Sequence, residues 1–275
     1  MRILNRNFNV KQIADSGQCF RMNPITENKY GLIAFDRYIE LEQLEEDVID
    51  VSCSEEDYEL IWKDYFDMDY DYGRIIDELS SGDDEFLREA AAYGSGIRIL
   101  RQNTFEMLIS FIVSQNKNIP SIKVCIERIC ETYGSAMKDR ESGRVYYTFP
   151  DPDILAGANR EELRALRLGY RDEYIIGAAQ AVSRGDIDLD SLKNISHEEA
   201  IIALKGIKGI GDKVANCISL FGLHHIEAFP IDVWMKRVLD EYYQGKFDAA
   251  RYKGYAGIVQ QYMFYYIRHI HGASK

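Results

Sequence analysis

The chain has 275 residues, 46% of them apolar, and a net charge of −12, enough apolar material for a core in one to three compact units. No run of 18 apolar residues occurs and the opening MRILNRNFNV lacks the apolar stretch of a secretion signal, which excludes a membrane-spanning helix and points to a cytoplasmic, intracellular protein. Five cysteines, odd in number and without a CxxC pair, exclude a disulfide scaffold and fit a reducing compartment.

In chain order, KYGLIAF (29–35), RYIELEQ (37–43) and DVIDVS (47–52) put apolar or aromatic residues at alternate positions between short polar breaks. That period of two predicts a small antiparallel sheet. From Glu55 onward the period becomes helical. TFEMLISFIVSQ (104–115) is apolar almost all round, as a buried central helix must be. Further helices are expected at 119–133, 171–184, 198–204, 212–223, 232–243 and 255–270, and Ser196 with Glu199 forms a capping box ahead of the third of these. The expected fold class is α+β: a small N-terminal antiparallel β-sheet domain (1–54) followed by a two-part α-helical body. One helical part is 55–103 with 224–275; the other is 104–223, ending in two helices joined by a hairpin at 197–223.

Charge is unevenly spread. Between 40 and 71 stand fourteen acids and one base, Lys63, whereas 201–275 carry ten bases against six acids. Local charge governs what a surface meets. The acidic block is therefore read as a solvated face remote from any polyanion, or as a partner site, and the C-terminal third as permissive for a polyanion.

The stretch LKGIKGIGDKVANC (204–217) carries the most information. Glycines at 206, 209 and 211 permit positive φ and close backbone approach in a tight helix-to-helix reversal, with Ile207 and Ile210 anchoring the turn. The next helix then starts near Asp212 with unpaired N–H groups, a seat for a phosphate that needs no formal positive charge. Lys213 lies in its first turn, where an amine partly withdrawn from water is a candidate nucleophile or a phosphate ligand. Cys217, four residues on, shares its face. In FPIDVWMKR, Pro230 stops one segment and Asp232 caps the next helix or faces a cation developing in a substrate.

Together these pieces resemble the helix-hairpin-helix DNA glycosylases, within which the whole chain is most similar to the 8-oxoguanine DNA glycosylase/lyase family. The resemblance implies that Lys213 is the Schiff-base lysine and Asp232 the catalytic aspartate. SGQCFR (16–21) corresponds to the loop whose glycine carbonyl, here Gly17, accepts the extra N7–H of the oxidised base. SFIVSQNKNI (110–119) implies Asn116 as the residue filling the gap left in the duplex. LGYRDEY (168–174) implies Tyr170 as the wedge and Arg171 as a reader of the orphaned base. YAGIVQQYMF (255–264) implies Gln260 on the base edge and Phe264 stacked on one face, with Cys217 on the other. Gly209 and Gly211 belong to the DNA-gripping hairpin. The family implies a monomer acting on double-stranded DNA that contains 8-oxoguanine, with no cofactor, no catalytic metal and no membrane. A cluster-binding branch fits poorly, because no cysteine follows Cys217. Two departures stand out: Ser121 replaces a second arginine that reads the opposite cytosine in eukaryotic members, and Trp234 replaces a histidine. The first implies a relaxed opposite-base preference. Two alternatives stay open: a glycosylase of the same superfamily for another damaged base, and a non-catalytic DNA-binding module.

Overall fold

A computed structural model describes residues 1–272 of the chain. Five strands, β1 (Arg2–Leu4), β2 (Met22–Pro24), β3 (Lys29–Ala34), β4 (Arg37–Glu45) and β5 (Val48–Val51), form one antiparallel sheet in the order β1-β5-β4-β3-β2. The register pairs Tyr30 with Leu41 and Leu32 with Ile39, which puts the alternating apolar residues on one face. Leu32, Leu41, Ile49 and Val51 are wholly buried there, beneath the helix Val10–Asp15 and the aromatic group Tyr58, Trp62, Tyr65 and Phe66. The edge strands β1 and β2 were not foreseen. Each has three residues, too few to display a period, and their backbone pairing depends on neighbours distant in sequence. The same holds for the hairpin Ala136–Lys138 with Val145–Tyr147.

The rest of the chain is helical. All eleven residues of the helix Thr104–Ser114 are buried, and it packs against Ile119–Tyr133, Arg171–Ser183 and Asp212–Phe221. The long C-terminal helix Ala256–Ile270 lies against Glu85–Tyr93 and Val233–Tyr243. The capping box is present: Ser196 accepts from the Glu199 N–H, and Glu199 accepts from the Ser196 N–H. Among the described residues no helix is long and apolar enough to cross a membrane.

Two buried arginines fasten the layers. Arg98 donates to the carbonyls of Phe66 (2.9 Å), Asn7 (3.0 Å) and Tyr70 (3.1 Å), with its guanidinium 4.2 Å from the Tyr72 ring centre. Arg21 donates to the Tyr147 carbonyl and pairs with Glu127 at 3.3 Å. Removing either would strand carbonyls away from water, at about 1–3 kcal/mol for each unsatisfied group. The acidic block is mostly solvated, with one correction. Asp67 is 3% exposed, takes Arg101 at 2.8 Å and accepts from Tyr72 Oη at 2.9 Å. One acid of the block therefore belongs to the core, because its partners lie outside the block.

Glu106 is the opposite case. It sits in the first turn of the apolar central helix, 8% exposed, and burial pushes its carboxyl up to about 7, with Glu127 and Asp36 adding to the rise and Arg21 opposing it. The folded chain thus holds this proton more tightly than the unfolded chain. That contribution to stability is complete below the ordinary glutamate range and is lost as pH rises through about 7. Glu106→Gln should accordingly be more stable than wild type at about pH 8, by up to ~3 kcal/mol, and close to it at about pH 5. Thermal unfolding of both proteins across that range checks this; parallel curves would overturn it.

Candidate active site

The reversal between His197–Lys205 and Asp212–Phe221 follows from local chemistry. Ile207 and Ile210 are buried beneath it. Of its three glycines only Gly209 has positive φ, +93°; Gly206 is α-helical and Gly211 extended. Of the freedom that three glycines permit, the turn uses left-handed backbone only at Gly209. Gly209 is obligatory for a second reason: a Cβ there would lie 2.5 Å from Cγ of Tyr174. Gly211 meets nothing within 4 Å. It precedes a helix whose first N–H groups receive no side-chain cap, so its lack of a side chain opens those donors to an incoming group.

Lys213, Cys217 and Phe221 follow one another at helical spacing along Asp212–Phe221, and all three face a cavity of about 50 Å³. Gly17, Phe111, Pro230, Asp232, Gln260 and Phe264 complete its wall with Gln261. Residues separated by up to 247 positions thus meet at one point. Lys213 Nζ lies 5.5 Å from the centre of the Phe111 ring, and that ring stacks on Phe221 at 5.5 Å. Burial pushes the Cys217 thiol up, the neighbouring Lys213 pulls it back and Asp232 adds to the rise.

Asp232 caps the following helix with one oxygen, as expected. Oδ1 accepts from the N–H groups of Trp234 (3.0 Å) and Met235 (2.9 Å), capping Val233–Tyr243. Oδ2 takes no part in the cap, and the residue lines the cavity. Gln260 donates from Nε2 to the Pro230 carbonyl (3.1 Å) and accepts from Gln261 Nε2 (3.2 Å). Gln261 Oε1 is buried without a partner among the described residues. Sequence reading passed over Gln261, Phe111 and Phe221, and gave Pro230 only the end of a segment. The doublet Gln260-Gln261 was a usable signal, since two adjacent amides in an otherwise apolar helix have to face something polar.

The loop bearing Gly17 is held from beneath. Gln18 is fully buried; it donates to the Arg98 carbonyl (2.8 Å) and accepts from the Leu100 N–H (2.9 Å), and its own carbonyl accepts from Gln102 Nε2 (3.0 Å). Gly17 itself has φ +81°, and a Cβ there would lie 3.3 Å from the Phe264 ring. The ring thus rests on the glycine. At about 50 Å³ the cavity is far below the 300 Å³ or more of a typical ligand pocket. With the Phe264 ring against Gly17, the cavity is closed in this structure.

The remaining candidates lie on the rim. Asn116 is exposed in the left-handed region (φ +52°), which asparagine tolerates, and its Nδ2 donates to Tyr170 Oη at 3.2 Å. Tyr170 is 49% exposed. Arg171 departs from expectation: it is 6% exposed, its guanidinium lies 4.5 Å from the Tyr170 ring centre, and it donates to the carbonyls of Gln115 (3.0 Å) and Leu168 (3.1 Å). Here it braces the loop that presents Asn116. Ser121 is exposed, with its N–H bonded to Asn118 Oδ1.

Comparison with known proteins gives a consistent picture. Residues 1–108 match the 8-oxoguanine DNA glycosylase N-terminal domain, and residues 109–253 match the HhH-GPD superfamily base excision DNA repair proteins. The chain is 30% identical over 236 residues to N-glycosylase/DNA lyase OGG1 of Arabidopsis thaliana, spanning 82% of this chain and 64% of the plant protein. Among solved structures it is similar to MBOgg1 in complex with a low affinity DNA ligand (39% identity, TM-score 0.90, 98% of this chain and 94% of that one). It is also similar to the Clostridium acetobutylicum 8-oxoguanine glycosylase/lyase in complex with double-stranded DNA containing cytosine opposite 8-oxoG (35% identity, TM-score 0.89, 96% and 93%).

The hairpin geometry separates two alanine substitutions. Gly209→Ala should lower stability by about 1–3 kcal/mol, from strain at positive φ and collision with Tyr174. Gly211→Ala should leave the melting temperature nearly unchanged and weaken duplex DNA binding. Melting curves with a binding titration of each variant test this; equal destabilisation by both would overturn it.

Proposed function

The chain belongs to the HhH-GPD superfamily of base excision DNA repair proteins, and on that premise we propose that it excises 8-oxoguanine from duplex DNA and nicks the strand left behind. The observation that carries the reading is the convergence of Gly17, Lys213, Cys217, Asp232, Gln260 and Phe264 on one cavity. The enzyme acts as a monomer inside the cell on double-stranded DNA. The same proposal divides it into 1–54, 55–103 with 224–275, and 104–223.

A base inside a duplex is out of reach, so it swings out at a cost of a few kcal/mol. Tyr170 and Asn116 offset that cost by entering the stack, and Arg171 meets the orphaned base after exchanging its bonds to the Gln115 and Leu168 carbonyls. Phosphates seat on the uncapped N–H groups after Gly211, which lets an acidic protein grip a polyanion. Phe264 moves off Gly17 and the base enters between Phe264 and Cys217. The freed Gly17 carbonyl accepts the N7–H of 8-oxoguanine; guanine presents a lone pair there and is repelled. Gln260 bonds the base edge.

Lys213 then attacks C1′. The C1′–N9 bond breaks, and the base leaves with the bonding pair and takes up a proton. Asp232 Oδ2 stabilises the positive charge that builds on the sugar. Opening of the sugar ring converts the amine adduct to an imine, and loss of a C2′ proton expels the 3′ phosphate. The enzyme is therefore a glycosylase and a lyase together.

Borohydride should trap a covalent adduct between the wild-type protein and a duplex containing 8-oxoguanine. Lys213→Gln should yield none and release base at least ~10²-fold more slowly. An adduct persisting in the variant would sink the mechanism. Trapping on a different lesion alone would favour another damaged base, and tight binding without any adduct would favour a non-catalytic module.

Ser121 has no guanidinium with which to read a partner base, an interaction of about 1–3 kcal/mol. Excision rates with each of the four bases opposite the lesion should favour cytosine by less than about a hundredfold. A larger ratio would show that other residues supply the discrimination.

A further inference from the structure

One cavity shares no lining residue with the proposed active site. It is a cleft of about 750 Å³ at the N-terminal end of the helix Thr104–Ser114, between the β3–β4 turn and the segments around 150 and 188. Its wall carries five carboxylates, Asp36, Glu106, Asp151, Asp188 and Asp190, and two cations, Arg21 and Lys193. Both cations are engaged: Arg21 by Glu127 and the Tyr147 carbonyl, Lys193 by Asp190 at 2.8 Å. Phe35, Phe105 and Phe149 add aromatic surface, and the last two rings meet edge to face at 6.1 Å.

Glu106 is the group that the fold leaves unexplained. It is more than nine-tenths buried, it lines the cleft, and its carboxylate takes no hydrogen bond or ion pair among the described residues. An acid in a first turn interacts favourably with the helix dipole, but an exposed carboxylate would do that without desolvation. A buried carboxylate without a hydrogen-bond partner, lining an acidic cleft with aromatic walls, has the composition of a site for a cation with an apolar body.

We propose that this cleft binds a small organic cation, an alkylammonium or guanidinium compound, with its charge on Glu106 and its body against Phe35, Phe105 and Phe149. The cleft shares none of its lining with Asn116, Tyr170 or the cavity that holds Lys213. The groups facing Glu106 are Arg21, Cys19, Asp36, Tyr65, Glu127 and Cys130. With the Glu106 carboxyl pushed up to about 7, affinity rises with pH as the carboxylate forms.

Calorimetric titration of the full chain with spermidine, agmatine and tetramethylammonium, at physiological salt and about pH 8, tests the proposal. At least one should bind at one equivalent, about tenfold more weakly to Glu106→Gln and severalfold more weakly to Asp36→Asn. Binding should also weaken about tenfold at about pH 6. Lys213→Gln should bind as wild type, which keeps this result independent of the catalytic reading. The proposal is overturned if no compound saturates, if several equivalents bind, if Glu106→Gln binds unchanged, or if Lys213→Gln loses the site.

Discussion

The site is organised by the contact between the helix Asp212–Phe221 and the buried central helix, and at its centre stands the Phe111 ring. Phe221 stacks on that ring and Lys213 Nζ lies above it. The same interface is closed at its other end by Thr104 Oγ1, which donates to the Gly222 carbonyl at 2.8 Å. The amine of a flexible lysine is placed over a buried aromatic ring. Cys217 and Phe221, on the same helix face, then form a continuous wall with it. If Phe111 were displaced, the amine would lose its support and the cavity one of its sides.

The opposing wall is built differently. Gly17 belongs to an irregular loop, and irregular backbone holds its shape only when its polar groups are satisfied. Gln18 does this by bonding the Arg98 carbonyl and the Leu100 N–H on either side of Ile99, while Arg98 ties the same region to the carbonyls of Asn7, Phe66 and Tyr70. The sheet layer and the helical body are thereby locked in the relation that sets Gly17 against Phe264. The proposed gate is correspondingly small: one aromatic ring moves, and the backbone on either side of it stays braced.

Electrostatics divides the molecule. The acidic block lies on the sheet side, and its one buried member, Asp67, is neutralised locally by Arg101. The proposed DNA face relies on exposed backbone N–H groups, an exposed asparagine and tyrosine, and the bases of the C-terminal third. This resolves the apparent conflict between a net charge of −12 and a polyanionic substrate, since helix-end donors act at contact range and repulsion from a remote acidic face is screened by salt. The acidic cleft at the far end of the central helix extends the same division, placing the proposed preference for cations on residues apart from that face.

Much was legible in the sequence for identifiable reasons. The alternation in 29–52, the apolar run at 104–115, the Ser196–Glu199 capping box and the hairpin at 204–217 are local patterns, and local backbone sterics and capping bonds act within a few residues. Lys213, Cys217 and Asp232 could be nominated because their neighbours in sequence set their conformation, and Gly17 through the family resemblance that SGQCFR carries. Only the tertiary structure decided what depends on residues meeting across the chain: the three-residue edge strands, the Phe111 support, the Gln260–Gln261 relay, the closure of the slot by Phe264, and the burial of Arg171 and Glu106. Each of these is a matter of which groups are desolvated together, and desolvation is a property of the packed chain that no run of adjacent residues specifies.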